Sequence, residues 1–311
     1  MRERLVVAAY LLGWRVTRLL PERLVRALCA LAAEVVWRRQ GTGVRRLKGN
    51  LRRVLGPATT EAELAAATRA GLRSYLRYWS EVFRLPALGR DLVVDRTRMA
   101  DEHLLLDAFA TGRGVVAALP HMGNWDCAGA WAVFRGMPFT TVAERLQPEL
   151  LFDRFVDFRR SIGMEVVPLT GGSGNTFAEL LRRLRAGAML TLLADRDLTS
   201  SGVEVDFFGA TARFPAGPAA LALSTGAPLL PVTLWYPDPG ETPGWCGRVH
   251  PAVTPPESGS RKEKVAAMTQ ALADVFASAI RAHPTDWHML QRVWAADLDP
   301  ARSEPLTPVS R

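Results

Sequence analysis

His121 and Asp126, separated by Met122-Gly123-Asn124-Trp125, are the residues whose types and spacing most directly suggest chemistry: an imidazole that can take a proton, and a carboxylate that can orient it. Just upstream, Gly114-Val115-Val116-Ala117-Ala118-Leu119 is a short apolar run closed by Pro120. It reads as a buried strand that delivers His121 into a loop. In open α/β sheets ligands bind at such strand ends. The spacing imposes a limit, because residues five apart on a continuous helix diverge by about 140° around its axis. Only a turn starting at Pro120 and Gly123 brings Asp126 back towards the imidazole. The same residues also admit a purely structural reading, with His121 a loop residue and Asp126 starting or capping a helix over 128–135.

Other polar residues fall at comparable positions. Asp195 ends the apolar run 189–194, so in a parallel sheet it emerges at the same edge as His121, unless it merely caps a turn there. Arg196 beside it is either its salt-bridge partner or a forked ligand for a phosphate or sugar. The Asn124 side chain, or backbone amides around 123–125, are candidates for stabilising an oxyanion. Trp125, Trp131, Phe134, Phe207 and Phe208 are candidates for lining an apolar channel, though aromatics near a core loop also simply pack. Gly171-Gly172-Ser173-Gly174 precedes a helical pattern and is either a phosphate cradle or a flexible turn. It is not a nucleophile elbow, because Asn175 stands where the last glycine of that motif belongs, which counts against an α/β-hydrolase. Cys29, Cys127 and Cys246 are odd in number and far apart, so no disulfide framework is implied. Neither they nor the histidines have zinc-ligand spacing, so the expected chemistry is metal-free, with His283 and His288 structural or surface residues.

These residues need a layered scaffold to hold them. After residue 110, strand-like segments at 115–119, 139–142, 164–167, 189–194, 203–207 and 229–234 alternate with helical patterns at 148–161, 175–185 and 217–224. That alternation predicts an α/β fold with a central, mostly parallel sheet flanked by helices. The first 110 residues read mainly as helices, and 61–84 and 262–283 add two more. The stretch 237–247 reads as a long turn. We divide the chain into a basic amphipathic segment at 1–60, an α/β domain at 61–298 and a tail at 299–311.

The net charge is +8, which by itself would suit a nucleic-acid binder, but its distribution argues otherwise. Residues 1–60 alone carry +10, and 38–53 contain seven basic residues and no acid. Anionic lipid would attract such a cluster by about 1 kcal/mol per residue near the surface. Ahead of it, 5–14 is an unbroken apolar run, too short to span a bilayer. It is expected to lie in the interface with Trp14 at headgroup depth and Arg15 and Arg18 snorkelling, continued by the amphipathic stretch 24–37, the alternatives being packing against the protein's own core and a cleaved signal.

The string Leu119-Pro120-His121-Met122-Gly123-Asn124-Trp125-Asp126 resembles the HX4D motif of glycerolipid-type acyltransferases, and more closely that of the lipid A biosynthesis acyltransferases. Further landmarks follow in order: Arg159 ahead of Gly163, Asp195-Arg196-Asp197, 203–209 ending in Phe207-Phe208-Gly209, and Pro284-Thr285-Asp286-Trp287-His288. They span residues 40–295. Ala194-Asp195-Arg196-Asp197-Leu198 and Trp287-His288-Met289-Leu290-Gln291 are most similar to phosphatidylinositol mannoside acyltransferases within that family. The resemblance implies that His121 removes a proton from an acceptor hydroxyl, which attacks an acyl thioester without an acyl-enzyme. It puts Asp126 at the motif's carboxylate and matches Asp195 to a second acidic position that pairs with the histidine in the mannoside subfamily. The sequence leaves that choice open. Glu144 and Arg159 resemble the polar pair that holds the acceptor sugar, the alternative being an ordinary loop-and-helix ion pair. The implied partners are acyl-CoA, as donor substrate and not cofactor, a mannosylated phosphoinositide glycolipid, and an anionic membrane surface, with no nucleic acid. The implied location is peripheral or monotopic, on the cytoplasmic face of the membrane. The alternatives are a lipid A-type enzyme using acyl carrier protein, and a non-catalytic lipid-binding protein, against which the intact His121, Asp126 and Asp195 argue.

Overall fold

The computed structural model describes residues 12–15, 17–143, 149–168, 175–197, 202–238 and 240–298. Among them, the strands are β1 (Thr97–Ala100), β2 (Val115–Leu119), β3 (Phe139–Ala143), β4 (Glu165–Pro168), β5 (Met189–Leu193), β6 (Val203–Phe207), β7 (Ala210–Phe214), β8 (Leu229–Trp235) and β9 (Trp245–Val249). Seven form one sheet in the order β1-β9-β8-β2-β5-β3-β4. Every neighbouring pair in it is parallel except β8 with β9. The fold is therefore α/β with a mostly parallel sheet, as the alternation of segments predicts.

The helices are α1 (Glu22–Arg39), α2 (Thr42–Leu55), α3 (Glu61–Arg84), α4 (Arg90–Arg96), α5 (His103–Ala110), α6 (Trp125–Phe134), α7 (Glu149–Ser161), α8 (Thr176–Arg185), α9 (Gly217–Thr225), α10 (Arg261–Ala282) and the single turn α11 (Ala295–Leu298). The two longest begin with reciprocal caps. Thr60 accepts from the Glu63 amide while the Glu63 carboxylate accepts from the Thr60 amide, and Ser260 and Glu263 repeat the pattern at α10.

Strand β2 shows how the layers form. All five residues are buried, as a central parallel strand covered on both faces requires. Val116 and Ala118 face a core shared with Leu180 and Leu184 of α8, Leu221 of α9 and Phe276 of α10. Val115, Ala117 and Leu119 point to the other face and meet Tyr78 and Val82 of α3, Trp131 of α6 and Phe158 of α7. The period-two alternation of a strand thus splits one short apolar run between two cores.

Three expectations are corrected. The segment 203–207 is a strand, but it pairs with β7 in a separate antiparallel hairpin whose turn, Phe208 and Gly209, has positive φ at both residues (55° and 73°). The long turn at 237–247 ends in β9, whereas the first 110 residues are mainly helical as expected, with the short strand β1 among those described. Trp14 is only 7% exposed and packs against Phe83, Phe155 and Phe158, with ring centroids 5.4–5.6 Å apart. It is a core residue and not a headgroup anchor. Arg18 lies over the Trp14 ring and donates to the Phe83 carbonyl. The remaining residues of the 5–14 run, other than 12–14, lie outside the described residues.

The basic stretch 38–53 also acquires acids from elsewhere. Glu34 pairs with Arg38, Glu61 with Lys48 and Arg52, and Asp297 with Arg53. No helix among the described residues is long and apolar enough to cross a membrane.

Candidate active site

The sheet register builds the site. β2 and β5 are parallel neighbours with Leu119 opposite Leu193, and the Ala194 amide donates to the Leu119 carbonyl at 2.8 Å. Two residues beyond each strand, His121 and Asp195 therefore leave the same edge side by side. The His121 Nδ1 lies 2.5 Å from Asp195 Oδ1, and the His121 backbone N–H donates to Oδ2 at 2.9 Å. The Trp287 indole N–H donates to the same Oδ2 at 2.9 Å.

Asp195 is 0% exposed, whereas the His121 side chain retains 25%. Burial pushes the Asp195 carboxyl up. The facing imidazole and the three hydrogen bonds from His121 and Trp287 outweigh it and hold the group below the usual carboxylate range. An ionised carboxylate only accepts hydrogen bonds, so Nδ1 carries a proton, and in the neutral ring Nε2 then keeps a free lone pair. That is the arrangement of an oriented general base.

Asp126 goes elsewhere. Asn124 caps α6 by accepting from the Cys127 amide at 3.0 Å, so Asp126 sits in the first helical turn and faces α3 and α7, not the loop. Arg159 grips it with two hydrogen bonds, Nε to Oδ1 at 2.7 Å and Nη2 to Oδ2 at 3.1 Å, and the Tyr78 hydroxyl donates to Oδ2 at 2.8 Å. Burial lowers the Arg159 guanidinium, but the facing Asp126 charge more than offsets it and holds arginine above its ordinary value. Of the two carboxylates left open by the sequence, Asp195 is the one bonded to the imidazole. Arg159, expected to hold a sugar, is committed to the motif's own aspartate.

Asn124 is likewise engaged. Its Oδ1 serves the cap and its Nδ2 donates to Glu81 at 2.8 Å, and the residue is buried, so its side chain is not poised to meet an oxyanion. Glu81 also accepts from Arg77 Nε and Trp245 Nε1, both at 2.7 Å. Arg196 follows Asp195 and is half-buried. Glu144 and the glycine-rich 171–174 loop lie outside the described residues. Of the five aromatics expected along a channel, Trp125 stands against His121, with ring centroids 5.8 Å apart and nearly perpendicular. Trp131 and Phe207 are packed into different cores, and Phe208 lies under Arg281.

Residues that pattern-reading left as a landmark or passed over complete the site. The Gly123 amide donates to the Asp286 carbonyl, the His288 amide donates to the His121 carbonyl, and Met122 bridges Trp287. Three consecutive residues, 286–288, thus clasp the loop that carries His121. His288 is buried, not a surface residue, and burial pushes its imidazole down to about 3. The string Pro284 to His288 was the only signal of this in the sequence, since nothing local reveals contacts across more than 160 residues.

Residues 1–296 match the bacterial lipid A biosynthesis acyltransferase family. A phosphatidylinositol mannoside acyltransferase of Mycolicibacterium smegmatis is 48% identical over 295 residues, covering 94% of this chain and 92% of that protein. A protein of the same name from Mycobacterium tuberculosis strain H37Rv is 50% identical over 303 residues, covering 96% of this chain and 91% of its own. With a match over nearly its whole length, this chain belongs to the bacterial lipid A biosynthesis acyltransferase family.

Proposed function

We propose that the protein transfers a fatty acyl chain from acyl-CoA to a hydroxyl of a membrane glycolipid, most specifically a mannose of a phosphatidylinositol mannoside, with His121 as general base. The observation that carries this is the buried, ionised Asp195 on Nδ1, which leaves Nε2 free to receive a proton. The names of the relatives supply the substrate class.

In the reaction so read, the acceptor hydroxyl gives its proton to His121 Nε2 as its oxygen bonds to the thioester carbonyl carbon. Asp195 stabilises the imidazolium that forms. The tetrahedral intermediate then expels the coenzyme A sulfur, which takes the proton back from Nε2 and leaves as the thiol. The enzyme is never acylated, and acyl-CoA is a substrate, not a cofactor. The Gly123 amide is taken by the Asp286 carbonyl, so the backbone amides of Asn124 and Trp125 are the proposed donors for the oxyanion, and Arg196 and Glu144 are the proposed contacts for sugar or phosphate.

Attachment to the cytoplasmic face of the membrane belongs to the same reading. Its support is α1, where Leu24, Leu28, Leu31 and Val35 are all exposed and fall within an arc of about 60° around the helix axis. The lipid A-type alternative differs in its donor, acyl carrier protein in place of coenzyme A.

The test is incubation of purified protein with palmitoyl-CoA or palmitoyl-acyl carrier protein, and a panel of mannosylated phosphoinositides, with products read by mass. A palmitoylated mannoside formed from the coenzyme A donor, and its loss in His121→Ala, are expected. Turnover retained by His121→Ala would overturn the base assignment, and acylation only from acyl carrier protein would overturn the donor.

A further inference from the structure

We propose that Ser74, on α3 and far from the motif in sequence, is a positioning residue for the His121–Asp195 pair, acting by locking the register of the 286–288 clasp. The proposal rests on the reading of His121 as base, and it concerns what holds that base in place.

Two residues of the clasp touch the pair and the third holds the loop that carries His121. The Asp286 carbonyl accepts from Gly123 N–H at 2.9 Å, the Trp287 indole donates to Asp195 Oδ2 at 2.9 Å, and the His288 amide donates to the His121 carbonyl at 2.8 Å. A slip of the clasp would therefore move both members of the pair together. Two of its side chains, those of Asp286 and His288, meet at one atom. The Ser74 hydroxyl lies 2.6 Å from Asp286 Oδ1 and 2.9 Å from His288 Nε2, and all three residues are buried.

Proton accounting makes this chain directional. Asp286 Oδ2 accepts from the Tyr236 amide at 2.9 Å, and Oδ1 faces the serine. Burial pushes the Asp286 carboxyl above the usual range, while the bonds from Ser74 and the Tyr236 amide favour its charged form; when ionised it takes the single Ser74 proton on Oδ1, so the serine oxygen accepts from His288 Nε2–H. Burial keeps His288 neutral, consistent with one proton on Nε2 and none on Nδ1. Both bonds thus depend on one hydroxyl. Its removal leaves a buried carboxylate oxygen and a buried imidazole N–H without that partner, and such groups are costly enough to shift the backbone that carries them. Tyr236, which follows β8, ties the same carboxylate to the sheet, so the clasp is fixed between α3 and the sheet edge that bears His121.

The experiment uses the full-length protein, with palmitoyl-CoA and a mannosylated phosphoinositide as substrates, and the proton NMR signal of the His121 Nδ1–H facing Asp195 as a readout independent of turnover. Ser74→Ala should lower kcat by about 10- to 100-fold, the scale expected for a sub-ångström to ångström displacement of a catalytic group. KM for palmitoyl-CoA should stay unchanged, and the downfield signal should shift or broaden. Ser74→Thr, which keeps the hydroxyl, should restore both. Ser74→Cys keeps the size with weaker hydrogen bonds, so it should give an intermediate loss and serves if the alanine variant does not fold. Unchanged kcat and an unchanged signal in the folded variants would overturn the proposal, as would activity falling only in proportion to the folded fraction. If the signal moves while His121→Ala still turns over, the positioning role stands and the base assignment fails.

Discussion

At the level of single residues, the two carboxylates near the motif histidine have opposite fates, and opposite phenotypes follow. Asp195 is bonded to the imidazole, so Asp195→Asn should cost on the order of 10³-fold or more in kcat, because an amide can donate to Nδ1 and favour the wrong tautomer. Thermal melting should change far less than turnover. Asp126→Ala should instead destabilise the fold by about 3–5 kcal/mol, since it strands the Arg159 charge in a buried site. Urea unfolding would measure this directly. His288 adds a pH dependence with a definite sign. Its folded value of about 3 lies below the usual 6.5, so in that window the unfolded chain binds the proton and the folded one does not. The resulting stability is full above about pH 6.5 and is lost as pH falls towards 3. His288→Gln should flatten that part of a stability-versus-pH curve, and an unchanged slope between those limits would contradict the assignment.

At the level of elements, the turn between β2 and α6 is fixed by backbone geometry more than by side chains. Gly123 has φ of 60°, and a Cβ there would stand 2.7 Å from the Leu234 carbonyl carbon on β8. Gly123→Ala should therefore destabilise the protein by about 2–4 kcal/mol through strain and overlap with backbone that cannot yield. Differential scanning calorimetry would detect it as a clear drop in Tm. The sequence made β2, β5 and β8 legible because each is a predominantly apolar run, and α3 and α10 because each has a long helical pattern. Strands β1 and β9 were not legible: the first has four residues with no strong alternation, and the second is interrupted by Gly247 and Arg248. His121 was legible from its spacing to Asp126, yet that spacing misdirects. The partner that orients the imidazole is 74 residues away and meets it only because β2 and β5 pair in register, a fact of sheet order that no local window contains. Ser74 was invisible for the same reason, and Trp287 stood out only as part of a landmark string, with nothing to tie it to Asp195.

At the level of the whole molecule, the reading of membrane attachment shifts from charge towards apolar contact. The basic stretch at 38–53 looked unopposed in sequence, but Arg38, Lys48, Arg52 and Arg53 all pair with acids brought in by the fold, which reduces the charge available to lipid headgroups. Trp14 is withdrawn into the core. What stays outside is the stripe on α1, with Leu28 at 48% and Leu31 at 62% exposure, and with Leu24 and Val35 in line above and below them. Helix α1 is held from behind by Ala33, which packs with Leu47 and Leu51 of α2 and Leu64 and Leu72 of α3, so the stripe is presented by a fixed element. Fully burying a leucine is worth about 1.5–3 kcal/mol, so replacing two should weaken partitioning by 100-fold or more. Leu28→Glu/Leu31→Glu should therefore lose flotation with phosphatidylcholine vesicles containing phosphatidylinositol. Activity on a short-chain, detergent-dispersed acceptor should survive, because the His121 edge lies on the sheet and not on α1. Raising the salt from 0.1 to 1 M, which shortens the screening length from about 10 to 3 Å, should release little wild-type protein. Release of most of it by salt alone would mean that the arginines carry the attachment and the apolar stripe does not.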